Sequence, residues 1–282
     1  MRQVVLQGTE LRVSRLSFGT ASLHHLNSRR RRQDLLAASF ENGFTHFDTA
    51  PSYGYGIAEE ELGQFLGGRR GRVTIATKIG LYPPSGASPT TASVWLRKAA
   101  GRLFSACSRP VVNWSIEAAT QSLDASLRRL KTEQIDLLLL HEPVHGALDS
   151  DAFLRWVQQE QVKGRIRAWG LAGAVGRMGP LLSNKALGMV LQVRDSFEGR
   201  EADLVTKQGR ELQITYGCLS SSRPSSAAKD VAARIETALR RNVTGSVLVS
   251  TRRLDRIQQL AEIAKNAESK SQSAPSDCRW RA

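Results

Sequence analysis

Ile135-Asp136-Leu137-Leu138-Leu139-Leu140-His141-Glu142-Pro143 is the stretch on which the fold turns. Its leucines leave neither face of a strand polar, so the run suits a strand covered on both sides, as in a parallel sheet. Proline then bars a regular continuation. Outward from it, short runs of similar character recur at Leu16–Thr20, Thr45–Asp48, Val73–Lys78, Ile166–Leu171, Met189–Val193, Leu212–Tyr216 and Ser246–Ser250. Amphipathic helical stretches lie between them, near 32–43, 58–67, 116–131, 150–164, 176–186, 199–210, 227–242 and after 253. Eight strands alternating with helices predict a closed (β/α)8 TIM barrel. Ahead of the first strand, Val4–Leu6 and Leu11–Ser14 flank Gly8-Thr9 and predict an N-terminal β-hairpin, placed as a lid on the barrel's bottom.

Two regions break the alternation. Residues 81–115 form an insertion after the third strand, opening with the loop composition Leu81-Tyr82-Pro83-Pro84-Ser85-Gly86 and continuing with a short helical stretch around 92–104. Trp95 and Trp114 fall in it, and two readings stay open: lining of a substrate pocket, or packing of the insertion. One barrel domain is expected over residues 1–265, with 266–282, rich in Ser, Lys and Ala, as a flexible C-terminal tail.

Composition narrows the function classes. Apolar residues make up 41% of the 282, enough for a large core, and no run of 18 apolar residues suggests a membrane span. The start, Met1-Arg2-Gln3-Val4-Val5-Leu6, does not read as a signal peptide. Cys107, Cys218 and Cys278 are odd in number and far apart, which disfavours a disulfide frame or a zinc site and fits a reducing, cytoplasmic setting. The net charge of +14 is strongly basic. Its sharpest run, Arg29-Arg30-Arg31-Arg32, lies before the apolar-periodic Leu35, Leu36, Ala38 and Phe40 and reads as a solvated helix start. No aromatic platform accompanies it, so a nucleic-acid partner is not expected, although an anionic ligand would benefit from the charge.

A barrel of this kind works at the carboxyl ends of its strands. Asp48, Lys78 and His141 end the second, third and fourth strands, and Tyr53 lies in the loop after Asp48. A tyrosine ordinarily ionises at about 10, and a nearby cation lowers that value by about 1 to 3. Lys78 can supply the cation, Asp48 can hold Lys78, and His141 can donate a hydrogen bond to a substrate oxygen. The four together suit a general acid facing a carbonyl. His141-Glu142-Pro143-Val144-His145 spells a zinc-protease motif, but that motif needs a continuous helix, which Pro143 after a strand opposes, so no metal is expected. Gly54-Tyr55-Gly56 begins like a dinucleotide fingerprint without its strand–turn–helix context and reads as a loop.

Phe47-Asp48-Thr49-Ala50-Pro51-Ser52-Tyr53-Gly54, Thr77-Lys78, the stretch from Ile135 to Pro143, Gly19-Thr20, and Gly164-Arg165-Ile166-Arg167-Ala168-Trp169-Gly170 together resemble the aldo-keto reductase superfamily over nearly the whole chain. The resemblance implies hydride transfer between NADP(H), with NAD(H) less favoured, and an aldehyde or ketone, possession of a small carbonyl or sugar-like substrate, and a tetrad of Asp48, Tyr53, Lys78 and His141. It implies cofactor contacts from Gly19 and Thr20, from Gln192 to the carboxamide, from Tyr216 stacking on the nicotinamide, and from Ser250, Thr251, Arg252, Arg256 and Gln259 around the adenosine 2′-phosphate end.

The chain departs from that pattern at four places. Ala172-Gly173 stands where the family has a Ser-Asn pair that binds the carboxamide, Leu260 where an adenine-contacting Asn is usual, Ser250 where a lysine is often seen, and Arg194-Asp195-Ser196 where a more apolar stretch is common. These departures support an alternative: a catalytically weak, nicotinamide-nucleotide-binding barrel with a regulatory or subunit role. The short segment 219–228 predicts an open, permissive pocket.

Overall fold

The computed structural model describes residues 1–83, 110–182, 189–220 and 228–272. Its first two strands, β1 (Gln3–Val5) and β2 (Arg12–Ser14), pair antiparallel as the expected hairpin. The barrel strands are β3 (Leu16–Gly19), β4 (His46–Asp48), β5 (Thr74–Ile79), β8 (Ile135–His141), β9 (Ile166–Gly173), β10 (Val190–Arg194), β11 (Ile214–Tyr216) and β12 (Ser246–Val249). They close in chain order, with β12 returning to β3 through Val247↔Leu16, and every pairing is parallel. Between β5 and β8 stands a small antiparallel ribbon of β6 (Leu81–Tyr82) and β7 (Val111–Val112).

The leucine run explains the layers. Leu137 and Leu139 point into the barrel with Ala76, Ala168, Ala172, Val190 and Ile214. Leu138 and Leu140 point outward into the larger core between barrel and helices. Asp136, the charged residue in the run, is 2% exposed. It accepts from the Ile75 amide at 2.9 Å and pairs with Arg70 at 2.8 Å and Arg167 at 2.9 Å, so its charge is fully met. Val4, Leu6, Leu11 and Val13 of the hairpin join the interior cluster and close the barrel's bottom.

The helices are α1 (Arg29–Glu41), α2 (Ile57–Phe65), α3 (Ile116–Leu130), α4 (Ser150–Val162), α5 (Val175–Leu182), α6 (Asp203–Lys207), α7 (Ala228–Arg241) and α8 (Leu254–Gln272). The arginine run does not precede α1 but forms its first turn, because the Ser28 hydroxyl caps the helix by accepting from the Arg31 amide at 3.3 Å. Positive charge there opposes the helix dipole. Glu61 of α2 compensates, taking Arg32 at 2.9 Å in a pair whose side chains are each 7% exposed. Arg32 is therefore packed inside rather than solvated.

The helix expected over 199–210 shrinks to the short α6. Upstream, the Glu201 carboxylate takes the amide and hydroxyl of Ser196 and folds that segment into a turn, and downstream Gly209 leaves helical geometry at φ 70°. The last helix runs past residue 265 to Gln272. The helical stretch expected around 92–104, Trp95, Cys107, Cys278 and most of the segment 219–228 lie outside the described residues. Trp114 is within them and packs: a side chain at Gly80 would meet its ring at 2.1 Å, and the ring lies edge-on to Phe153 at 6.3 Å.

Leu11 is 1% exposed at the plugged end. Leu11→Ala is expected to lower stability by about 2–5 kcal/mol in denaturant unfolding. A loss below about 1 kcal/mol would mean that the hairpin does not seal the core.

Candidate active site

β4 and β5 lie side by side in register Asp48↔Ala76, which brings their carboxyl ends together. Lys78 and Asp48 are 1% and 2% exposed. The Lys78 ammonium donates to both Asp48 carboxylate oxygens at 2.7 Å and to the Thr49 carbonyl at 2.9 Å. Two charges taken from water are costly unless paired and hydrogen-bonded, and here the ammonium meets two carboxylate oxygens and a carbonyl.

Tyr53 arrives on a tight turn in which Gly54, Tyr55 and Gly56 take φ of 62°, 58° and 93°. Gly54 is required twice over: the left-handed backbone favours glycine, and a Cβ there would stand 2.4 Å from Cβ of His24. The turn sets the Tyr53 ring 4.9 Å from the Lys78 ammonium and edge-on to the His141 ring at 6.0 Å. Asp48, Tyr53, Lys78 and His141 thus line one cavity of about 350 Å³ at the strands' carboxyl ends.

The electrostatics correct one expectation. Burial pushes the Tyr53 phenol above its ordinary pKa, and the opposing pull of Lys78 does not overcome it. Lys78 is favoured as a cation: burial works against its charge, but Asp48 and Tyr53 outweigh burial and hold its pKa above the usual value. His141 is pushed down to about 3, by burial first and then by Lys78, so its ring is neutral near pH 7. Its buried Nδ1 has no hydrogen-bond partner.

The same cavity gathers Gly19, Gln192, Tyr216 and Ser250. His141, Ala172 and Gln192 sit in one row across three strands. Gln192 is 3% exposed, and its Oε1 has no hydrogen-bond partner. The half-buried Tyr216 phenol is raised by burial. Thr20 is not on the cavity wall: it is buried and its hydroxyl donates to the Asp48 carbonyl at 2.9 Å, tying β3 to β4. Thr251, Arg252, Arg256 and Gln259 also lie off the cavity wall, just before α8 and on its first turns. The Thr251 hydroxyl accepts from the Arg253 amide at 3.1 Å, while Arg252 and Gln259 are exposed and Arg256 half-buried. Leu260 faces the core at 3% exposure and offers nothing polar outward.

Ala172 and Gly173 also line the cavity, and Ala21, Glu142, Gly217, Ser220, Leu248 and Val249, which were not singled out from the sequence, complete the wall. Glu142 carried a signal in its position next to His141. The zinc-type helix is absent, since β8 ends at His141 and Glu142 turns left-handed at φ 53°. Among the described residues, no group of three His, Cys, Asp or Glu side chains is placed to hold a metal ion.

A model of the aldo/keto reductase family matches residues 15–185. The chain belongs to the aldo/keto reductase family. Among its relatives, pyridoxal 4-dehydrogenase of Microbacterium luteolum is 35% identical over 147 residues, which are 48% of this chain and 41% of that protein. L-galactose dehydrogenase of Arabidopsis thaliana is 27% identical over 176 residues, 60% of this chain and 47% of that protein. The chain therefore spans less than half the length of these two relatives. An aldo-keto reductase from Klebsiella pneumoniae, solved in complex with NADPH, superposes with a TM-score of 0.68 at 20% identity, covering 100% of this chain and 99% of that one. At that identity the likeness is one of fold. No helix among the described residues is long and apolar enough to cross a membrane.

Buried histidines give this barrel an acid-side signature. His46, bonded through Nδ1 to the Thr74 hydroxyl at 2.8 Å, is pushed by burial down to about 4. The unfolded chain then binds a proton that the folded chain refuses, so the contribution to stability is full above the unfolded pKa and is lost as pH falls toward 4. His46→Gln is expected to flatten the rise of unfolding free energy with pH by about 1.4 kcal/mol per pH step between about pH 4.5 and 6. Equal slopes for wild type and variant in denaturant titrations would show that the folded ring takes up the proton.

Proposed function

We propose that this chain is an NADP(H)-dependent oxidoreductase that interconverts a small aldehyde or ketone and its alcohol, with Tyr53 as proton donor. The observation that carries this reading is the Lys78 ammonium, fixed by Asp48 at 2.7 Å and set 4.9 Å from the Tyr53 ring at the cavity wall. When bound, the nicotinamide supplies or accepts the hydride.

The raised pKa keeps Tyr53 protonated near pH 7, as an acid must be. A phenol in that state is a reluctant donor, and Lys78 answers this. Its attraction grows as negative charge develops on the phenolic oxygen, so it stabilises the transition state more than the ground state. Asp48 keeps Lys78 in place without removing it from the ring. Neutral His141 can donate one ring hydrogen to a carbonyl oxygen and orient it without competing for the proton.

The donor set fits the dinucleotide. The partnerless, buried Oε1 of Gln192 suits the carboxamide's N–H, and the Tyr216 ring on the same wall suits the flat nicotinamide. Ser250, Thr251, Arg252 and Arg256 suit a phosphate at the start of α8, where a helix N-terminus and guanidinium groups both favour an anion. This favours NADP(H) over NAD(H), and the Klebsiella pneumoniae protein's complex with NADPH supports it. Similarity to a pyridoxal dehydrogenase and a galactose dehydrogenase supports a small carbonyl or sugar-like substrate. The gathering of a phenol, an ammonium and an imidazole on one cavity wall favours catalysis over the regulatory alternative.

Fluorescence titration with NADPH and NADH, with turnover on a panel of aldehydes, tests the reading. Tyr53→Phe is expected to cut turnover by about 10² or more while leaving NADPH binding within about twofold, because it removes only the hydroxyl. Binding without turnover on any aldehyde would favour the regulatory role, and no binding of either nucleotide would sink both. Arg252→Ala with Arg256→Ala should weaken NADPH binding on the order of tenfold or more and leave NADH binding nearly unchanged. Equal losses for the two cofactors would place the arginines away from the 2′-phosphate.

A further inference from the structure

Glu142 sits on the cavity wall in a backbone conformation uncommon for a residue with a side chain, at φ 53°. Three contacts hold it there. Its amide donates to the Ala172 carbonyl at 2.7 Å, and its Oε2 accepts from the Ala174 amide at 3.3 Å. Its carboxylate also lies over Gly173, where a Cβ would stand 2.9 Å from both Cδ and Oε2. A side chain at 173 would therefore evict it. The bare backbone at Gly173 and the left-handed turn at Glu142 act as a pair, and together they bring a carboxylate to the wall that Gln192 shares across Ala172.

The ion pair that meets this charge is a weak one. Arg177 is 4.0 Å away and 70% exposed, so water screens it. The Lys78 ammonium is matched by Asp48. Arg194, at the end of β10, pairs with Glu201 at 3.5 Å. The Glu142 field is felt at both rings of the site, since it adds to the upward push on the Tyr53 and Tyr216 phenols. The carboxylate is thus electrostatically in view of both tyrosines.

We propose that Glu142 is a counter-ion for the oxidised nicotinamide and tilts the bound cofactor toward its oxidised form. This rests on the nicotinamide-binding reading above. The oxidised ring is a cation and the reduced ring is neutral, while the rest of the dinucleotide is the same in both. A carboxylate beside the ring therefore separates the two states by charge alone. At an effective dielectric of about 20, the attraction between unit charges as far as about 12 Å apart is enough to change a binding ratio about tenfold. At equal concentrations of the two cofactors the free enzyme is therefore loaded preferentially with the oxidised form, while the overall equilibrium of the reaction is unchanged.

The test is a set of dissociation constants for NADP+ and NADPH, measured on wild type, Glu142→Gln and Glu142→Asp. Adenosine 2′,5′-bisphosphate serves as the probe that lacks a nicotinamide. Glu142→Gln keeps the shape and removes the charge. It is expected to weaken NADP+ binding about tenfold, to leave NADPH within about twofold, and to leave the bisphosphate unchanged, with Glu142→Asp recovering part of the loss. Equal changes for NADP+ and NADPH, no change in either, or a parallel loss of the bisphosphate would each overturn the proposal, the last by assigning Glu142 a structural role. Should wild type bind the bisphosphate but neither dinucleotide, the nicotinamide reading itself fails and takes this proposal with it.

Discussion

The site depends on one buried ion pair. Lys78 and Asp48 are removed from water together, on adjacent strands, with three acceptor oxygens within 2.9 Å of the ammonium. Neither charge is tolerable there without the other. Because the pair joins β4 to β5, it ties the barrel's closure to the position of the cation, and because the cation faces the Tyr53 ring, it ties that closure to the proposed proton donor. Breaking the pair would therefore damage the fold and the chemistry at once.

The barrel's large features were legible because parallel strands buried on both faces leave an unbroken apolar signature. The run Leu137–Leu140 could have no other comfortable home, and its residues divide between the interior and the helix layer. What misled was local. The arginines at 29–32 look like a solvent-seeking prelude, yet the Ser28 cap pulls them into the helix and Glu61 makes burial of Arg32 possible. That partner is distant in sequence, so no reading of the run by itself could supply it.

The site shows the same division. Residue types at strand ends were enough to gather Asp48, Lys78 and His141, because strand polarity puts carboxyl ends on one face. The direction of the Tyr53 shift was not legible, since it depends on how much water the turn at Gly54–Gly56 excludes. Thr20 was credited with a ligand, but a neighbouring carbonyl already holds its hydroxyl. Glu142 was passed over because its placement depends on the absence of a side chain at Gly173, a negative feature that a motif of letters does not display.

The ribbon of β6 and β7 has a consequence for how such a barrel diversifies. Leu81 pairs with Val112 and Tyr82 with Val111, so the chain leaves the barrel and returns at a single clasped point. Closing a loop at fixed ends grows costlier only with the logarithm of its length, at about 0.6 kcal/mol for each doubling. What lies beyond the clasp can accordingly be lengthened, shortened or exchanged at small thermodynamic expense. The strands that carry Lys78 and His141 on either side need not register the change. The clasp works as a cloning site in the fold, at which new specificity can be spliced beside old chemistry.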